Sequence, residues 1–170
     1  EVPDPLSVPL IVVTEELPEP VALRLAEYAE AGGRVLVVLW NPLEAAGAGT
    51  TINQIAGSQL EFGEAEVEDY AMLSRIDFSH PLFRPMSDPQ FNDFSKIRFW
   101  AHRSINKVDD DWRLVARYDD GGPAVMEKIL GKGRLFVLAS GWQPNESQLA
   151  LSTKFIPLVF SLFDGGQTGP

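Results

Sequence analysis

The chain has 170 residues, 45% of them hydrophobic, no cysteine and a formal net charge of -10. Length and apolar content suit a domain with a sizeable core, and the missing thiol excludes disulfides, thiolate metal sites and a cysteine nucleophile. Acidic residues spread along the chain repel phosphate backbones, so no nucleic-acid partner is expected, and no apolar run approaches the ~20 residues of a spanning helix.

The sequence opens on Glu1 and reaches a core-like pattern by Val8, which reads as a piece of a longer protein. VPLIVV (8–13) is apolar and β-branched, predicting a strand buried on both faces. Thr14 is a candidate cap, followed by acidic residues suited to a helix start. PVALRLAEYAEAGG spaces Val21, Leu25, Tyr28 and Ala29 as one helical stripe, with Gly32 and Gly33 as the stop. RVLVVLW (34–40) is a second buried strand, so the two strands are expected to be parallel with a right-handed crossover. NPLEAAGAGTT reads as a loop of small residues, INQIAG as a short helix, and QLEFGEAEVEDYAML as strand pieces. FSHPLFRPMSDPQFNDFS reads as irregular structure with a turn from His80 to Phe83. KIRFWAHRSI alternates, with Ile97, Phe99 and Ala101 facing in and Lys96, Arg98 and His102 facing out.

The stretch 112–139 predicts an antiparallel meander of three strands, turning at Asp119–Gly122 and Leu130–Gly133. Gly131-Lys132-Gly133-Arg134 invites comparison with a phosphate-binding loop. It lacks the Ser or Thr after the lysine and leads into a strand rather than a helix, so a hairpin corner with Lys132 in solvent is expected. No dinucleotide fingerprint links the first strand to its helix. SQLALSTKFIPLVFSLF closes the ordered part as a helix over 149–163. Its stripe is Leu151, Phe155, Leu158, Val159 and Leu162, with Pro157 as a possible kink. DGGQTGP has the composition of a flexible tail.

Chemistry is sparse. His80 and His102 are the only histidines, and with Asp77, Asp88 or Asp93 they match no standard metal spacing. Ser140-Gly141 follows a strand but lacks the leading glycine of a nucleophile elbow, because position 138 is Leu. Asp109, Asp110 and Asp111 lack calcium-loop spacing and read as a solvated turn. Arg98, Trp100, His102 and Arg103 form a basic, aromatic patch against the acidic background, suited to an acidic protein partner.

Taken together, LRLAEYAEAGGRVLVVL, HPLF, DFSKIRFWAHRSI, LVARYDDGGPAVMEKILGKGRLFVLAS and LALSTKFIPLVFSLF come in a recognisable order. The chain resembles the class I glutamine amidotransferase-like domain of bacterial aerotolerance (Bat)-type membrane proteins, which also carry von Willebrand A domains. The resemblance implies an α/β fold: a flavodoxin-like three-layer sandwich with parallel core strands and an added antiparallel meander. It implies one domain over 1–164 and a tail over 165–170. True amidotransferases use a Cys-His-Glu triad; here Asn41-Pro42-Leu43 stand where the elbow would be, and no His-x-Glu pair exists. The expectation is therefore a non-catalytic structural or protein-interaction domain with no catalytic residue, cofactor or metal. The resemblance places it beside a membrane, extracytoplasmic through its parent, without inserting itself. The alternative is a small-ligand binder or hydrolase using the crevice at the strand ends, near Thr14, Trp40 and Asn41. A crevice filled by Trp40 and Leu43 would favour the scaffold.

Overall fold

The computed structural model describes residues 1–164; the expected tail over 165–170 lies outside them. The predicted strand–helix–strand opening is present. β1 (Ile11–Val13), α1 (Glu19–Glu30) and β2 (Arg34–Val38) form a parallel βαβ unit, with Ile11 opposite Val35. β1 is an edge strand and leaves Val12 partly exposed, so the expectation of burial on both faces fails there. The helix buries Ala22, Leu25, Tyr28 and Ala29, one register step from the expected stripe at its start. Its N-cap is Pro18 rather than Thr14.

The next segment departs from the sequence reading. Pro42 to Ala56 is one continuous helix, α2, where a loop and a short helix were expected. Its signals are local. The Asn41 side chain accepts the Glu44 N–H at 3.0 Å, Pro42 occupies the first turn, and Gly57 closes the helix at φ 63. The small residues serve contact: a Cβ at Gly49 would lie 2.5 Å from the Phe62 ring.

β3 (Glu61–Glu64) pairs with β5 (Arg103–Asn106) in a small antiparallel ribbon. β4 (Leu73–Ile76) joins the main sheet, with β6 (Trp112–Tyr118), β7 (Pro123–Leu130) and β8 (Gly133–Leu138) as the expected meander. The sheet order is β1-β2-β8-β7-β6-β4, parallel across the first three strands and antiparallel beyond. This is an α/β three-layer fold.

The glycine-rich corner is a hairpin. Leu130 pairs with Gly133 across a two-residue turn, and Gly131 takes φ 57. Gly133 is required by contact rather than by a positive backbone angle: a Cβ there would lie 2.1 Å from the carbonyl oxygens of Ala29 and Gly33. The corner receives the end of α1, since Lys132 N–H donates to Glu30 O at 3.1 Å.

α1 and α2 cover one face of the sheet, and the β3–β5 ribbon packs against α2. The final helix, α3 (Phe155–Asp164), covers the other face. It starts later than predicted because Leu149–Leu151 is a separate 3₁₀ turn. Pro157 sits in its first turn, where the missing N–H costs little, so no kink results. Leu158 and Leu162 are buried and Phe155 half-buried, but Leu151, predicted to face the sheet, is exposed.

Candidate functional site

In open α/β sheets ligands bind outside the carboxyl ends of the parallel strands. Here those ends are Thr14 after β1, Trp40 and Asn41 after β2, and Ser140 to Trp142 after β8. Thr14 is half-buried beside a loop whose Leu17 N–H donates to Thr51 Oγ1 of α2 at 2.9 Å. Asn41 is consumed as the α2 cap. Trp40 meets Trp142 edge to face at 5.4 Å, and Trp142 packs on Phe155 at 5.5 Å. Leu43 does not fill the crevice; it is 91% exposed.

What fills it is charged. Arg103, expected on an exposed patch, is fully buried. Its Nη1 donates to Leu39 O at 2.9 Å and to Glu146 Oε1, and its Nη2 donates to Glu146 Oε2 at 3.1 Å. Nε lies 2.7 Å from Glu64 Oε1, without hydrogen-bond alignment. One guanidinium thus ties β5 to the end of β2, the 140s loop and β3. Such a buried charge persists only because its donors are matched by carboxylates and a carbonyl. Gln143 adds a second tie, donating to Trp40 O at 2.7 Å. Ser140 is fully buried, and its hydroxyl donates to Ala101 O at 2.7 Å. That removes the proton and the exposure a nucleophile needs. Beside it the Tyr118 hydroxyl has no hydrogen-bond partner among the described residues, and burial pushes its pKa up.

The expected basic patch is split three ways. Arg98 stays outside, stacked 4.7 Å over the Tyr70 ring, with Trp100 edge-on to Tyr70 at 6.4 Å. His102 is buried, stacked on Tyr118 at 3.9 Å, with Nε2 2.9 Å from Asp120 Oδ2. Arg103 belongs to the strand-end network. The alternation of KIRFWAHRSI holds in burial from Lys96 to Phe99 and breaks at His102, because the regular strand begins only at Arg103. Phe99 forms isolated bridges to Ala71 and Ser147 instead.

His102 and Asp120 also line a cavity of about 730 Å³ between the β3–β5 ribbon and the β6–β7 hairpin, away from the strand ends. On the α3 face lies a further buried group that the sequence did not suggest. His80 Nδ1 accepts the Leu82 N–H at 3.0 Å, which leaves Nε2 as the donor to Glu127, and Glu127 also accepts from Arg134. Burial pushes the Glu127 carboxyl up; the bond from His80 and then the bond and charge of Arg134 outweigh it, and the net shift is downward. The aspartates weighed with His80 are turn formers: Asp77, Asp88 and Asp93 accept the N–H of Ser79, Gln90 and Ser95. Asp109 does the same for Asp111. Among the described residues no group of three His, Asp or Glu gathers as metal ligands.

No family model matches the chain, and no curated protein matches it by sequence. Solved structures match by fold. The cytoplasmic protein STM3548 from Salmonella typhimurium aligns with a TM-score of 0.67 at 14% identity, over 92% of this chain and 71% of its own. The cytoplasmic protein STM1381 from Salmonella typhimurium LT2 gives 0.63 at 14% identity, with the same two coverages. A candidate GMP synthase component from Thermoplasma acidophilum gives 0.53 at 14% identity, again over 92% and 71%. At such identities the likeness is one of fold.

The expected setting requires correction. An extracytoplasmic, membrane-associated placement is overturned by the two neighbours described as cytoplasmic, and nothing here links the chain to Bat-type or von Willebrand A proteins. Among the described residues no helix is long and apolar enough to cross a membrane.

Proposed function

We propose that this is a non-catalytic protein-interaction domain on an amidotransferase-like fold, and, by analogy with the two Salmonella neighbours, that it works in the cytoplasm. The observation that carries the reading is the Arg103–Glu146 pair buried beneath the strand ends. An active site leaves nucleophile, base and oxyanion donors free to meet a substrate. Here the corresponding groups are spent on holding loops together. Asn41 caps a helix, Ser140 donates to a carbonyl, and Glu146 and Gln143 bind Arg103 and Trp40 O. The purified chain is expected to show no turnover of glutamine, a generic ester or ATP. Turnover that survives purification and vanishes on Ser140→Ala would sink this reading.

A second reading rests on the cavity beside His102, whose size suits a small ligand and whose lining includes Ser104, Arg117 and Asp120. It expects a small polar metabolite to raise the melting temperature, and that rise to disappear in Asp120→Ala. A screen of such metabolites that leaves the melting temperature unchanged argues against it.

A further inference from the structure

The residues from Phe155 to Phe163 carry no charge. Leu158 and Leu162 face the sheet, but Ile156, Phe160 and Phe163 are 60%, 68% and 47% exposed. Their i, i+4, i+7 spacing makes one stripe along the outer side of α3. Leu151, in the preceding 3₁₀ turn, is 73% exposed.

We propose that this stripe pairs, antiparallel, with the same stripe of a second copy of the chain, about a two-fold axis near Phe160. This deepens the interaction-domain reading by naming the partner. Area supports it. Large apolar side chains offer roughly 150–250 Å² each, so the exposed fractions of these four residues supply about 370–620 Å² of apolar surface. A standard interface takes about 800 Å² per partner, of which roughly 55–65%, or about 440–520 Å², is apolar, inside that range. Charge supports it too. Two copies at -10 each repel on any acidic face, and this stripe has no acid within it. Its flanks are complementary, because antiparallel pairing brings the Lys154 end of one helix toward the Asp164 end of the other. An uncharged stripe centred on one residue is self-complementary, as a two-fold interface requires.

Sedimentation velocity and light scattering on the purified chain test the proposal. At roughly 100 µM, well above the weak end of interfaces this size, the mass of two copies is expected. Phe160→Glu and Ile156→Lys should each give the mass of one copy with an unchanged circular dichroism spectrum. Leu43→Glu, on α2 in the opposite layer, should leave two. An unmutated chain that stays single at every concentration overturns the proposal and assigns the stripe to a different protein. A two-copy species that persists in both α3 variants overturns it as well. Neither result bears on catalysis, and turnover by a single copy would sink the non-catalytic reading while leaving this one untouched.

Discussion

α1 and α2 add close contacts at glycines to their buried Leu25, Tyr28, Ile52 and Ile55, whereas α3 sits over the sheet with apolar residues on both its sides. In the first layer contact is close enough to exclude a single methyl group. A Cβ at Gly33 would lie 2.3 Å from the Tyr28 ring, and one at Gly133 would meet two carbonyl oxygens. Tyr28 reaches through to donate to Val8 O at 2.6 Å. In the second layer an apolar gap of about 30 Å³ remains among Leu36, Phe136, Phe155 and Leu158. There α3 is tied by polar contacts at its rim, where Arg34 donates to the carbonyls of Leu162 and Phe163. The difference separates fitting from tethering. A layer fitted by backbone has no slack for substitution, while a tethered one tolerates change and keeps surface available for another molecule.

The sharpest test of the fitted layer is Gly133→Val. Its branched side chain would collide with backbone oxygens that cannot rotate away, so we expect a loss of at least about 3 kcal/mol. For a chain of this size that lowers the melting temperature by about 6 °C or more. An unchanged melting curve would show that α1 can back away from the hairpin, and the comparison would collapse.

Beneath the tethered layer, Glu127 holds His80 and Arg134. Removing one partner of a buried ion pair costs about 3–5 kcal/mol, and the isosteric Glu127→Gln should cost the lower part of that range or less. The pH dependence follows from the direction of its shift. The folded carboxyl titrates below its ordinary 4.5, so its contribution is complete above that value and is lost as pH falls through the lower, folded value. Denaturant midpoints measured from pH 7 down to pH 3 should therefore drop less steeply in Glu127→Gln than in the parent. Parallel acid limbs would refute the assignment.

Phe155→Ala comes next. Full burial would make it a loss of about 3–5 kcal/mol, but Phe155 is only half-buried beside Trp142 and borders an existing gap. We expect about half that range, read from the denaturant midpoint. A loss as large as that of Gly133→Val would mean that α3 is fitted after all.

These contrasts show which parts of the fold were legible. β1, α1, β2 and the meander could be read because periodicity and turn glycines act locally, and each agreed with the final pairing. α2 was hidden by its own composition. Ala and Gly suit a loop until Phe62 arrives to pack on Gly49, and only Asn41-Pro42 and Gly57 marked its ends. The strand-end network was invisible for a different reason. Arg103, Glu146 and Glu64 are far apart in sequence, and a buried arginine looks like any exposed one until tertiary pairing is known. Thr14, Trp40 and Asn41 follow the ends of β1 and β2. The roles of Trp40 in packing and Asn41 in capping depended on partners that no local pattern reveals.

The smallest expected effect is the most telling about α3. Phe160→Ser removes a large aromatic ring, which in the fitted layer would be ruinous. On the outer stripe the ring is 68% exposed, and Phe and Ser have similar helix propensities, so the stability of a single copy should change by less than about 0.5 kcal/mol. Self-association adds a concentration term, because binding to the folded state alone stabilises it by mass action. Parent and variant should therefore melt together in dilute solution and separate as protein concentration rises, the parent gaining and the variant staying still. A variant that melts early even when dilute would place Phe160 in the core of its own chain. Curves that coincide at every concentration would leave the stripe without a second copy to cover it. Only divergence with concentration joins the tethered layer to an interface.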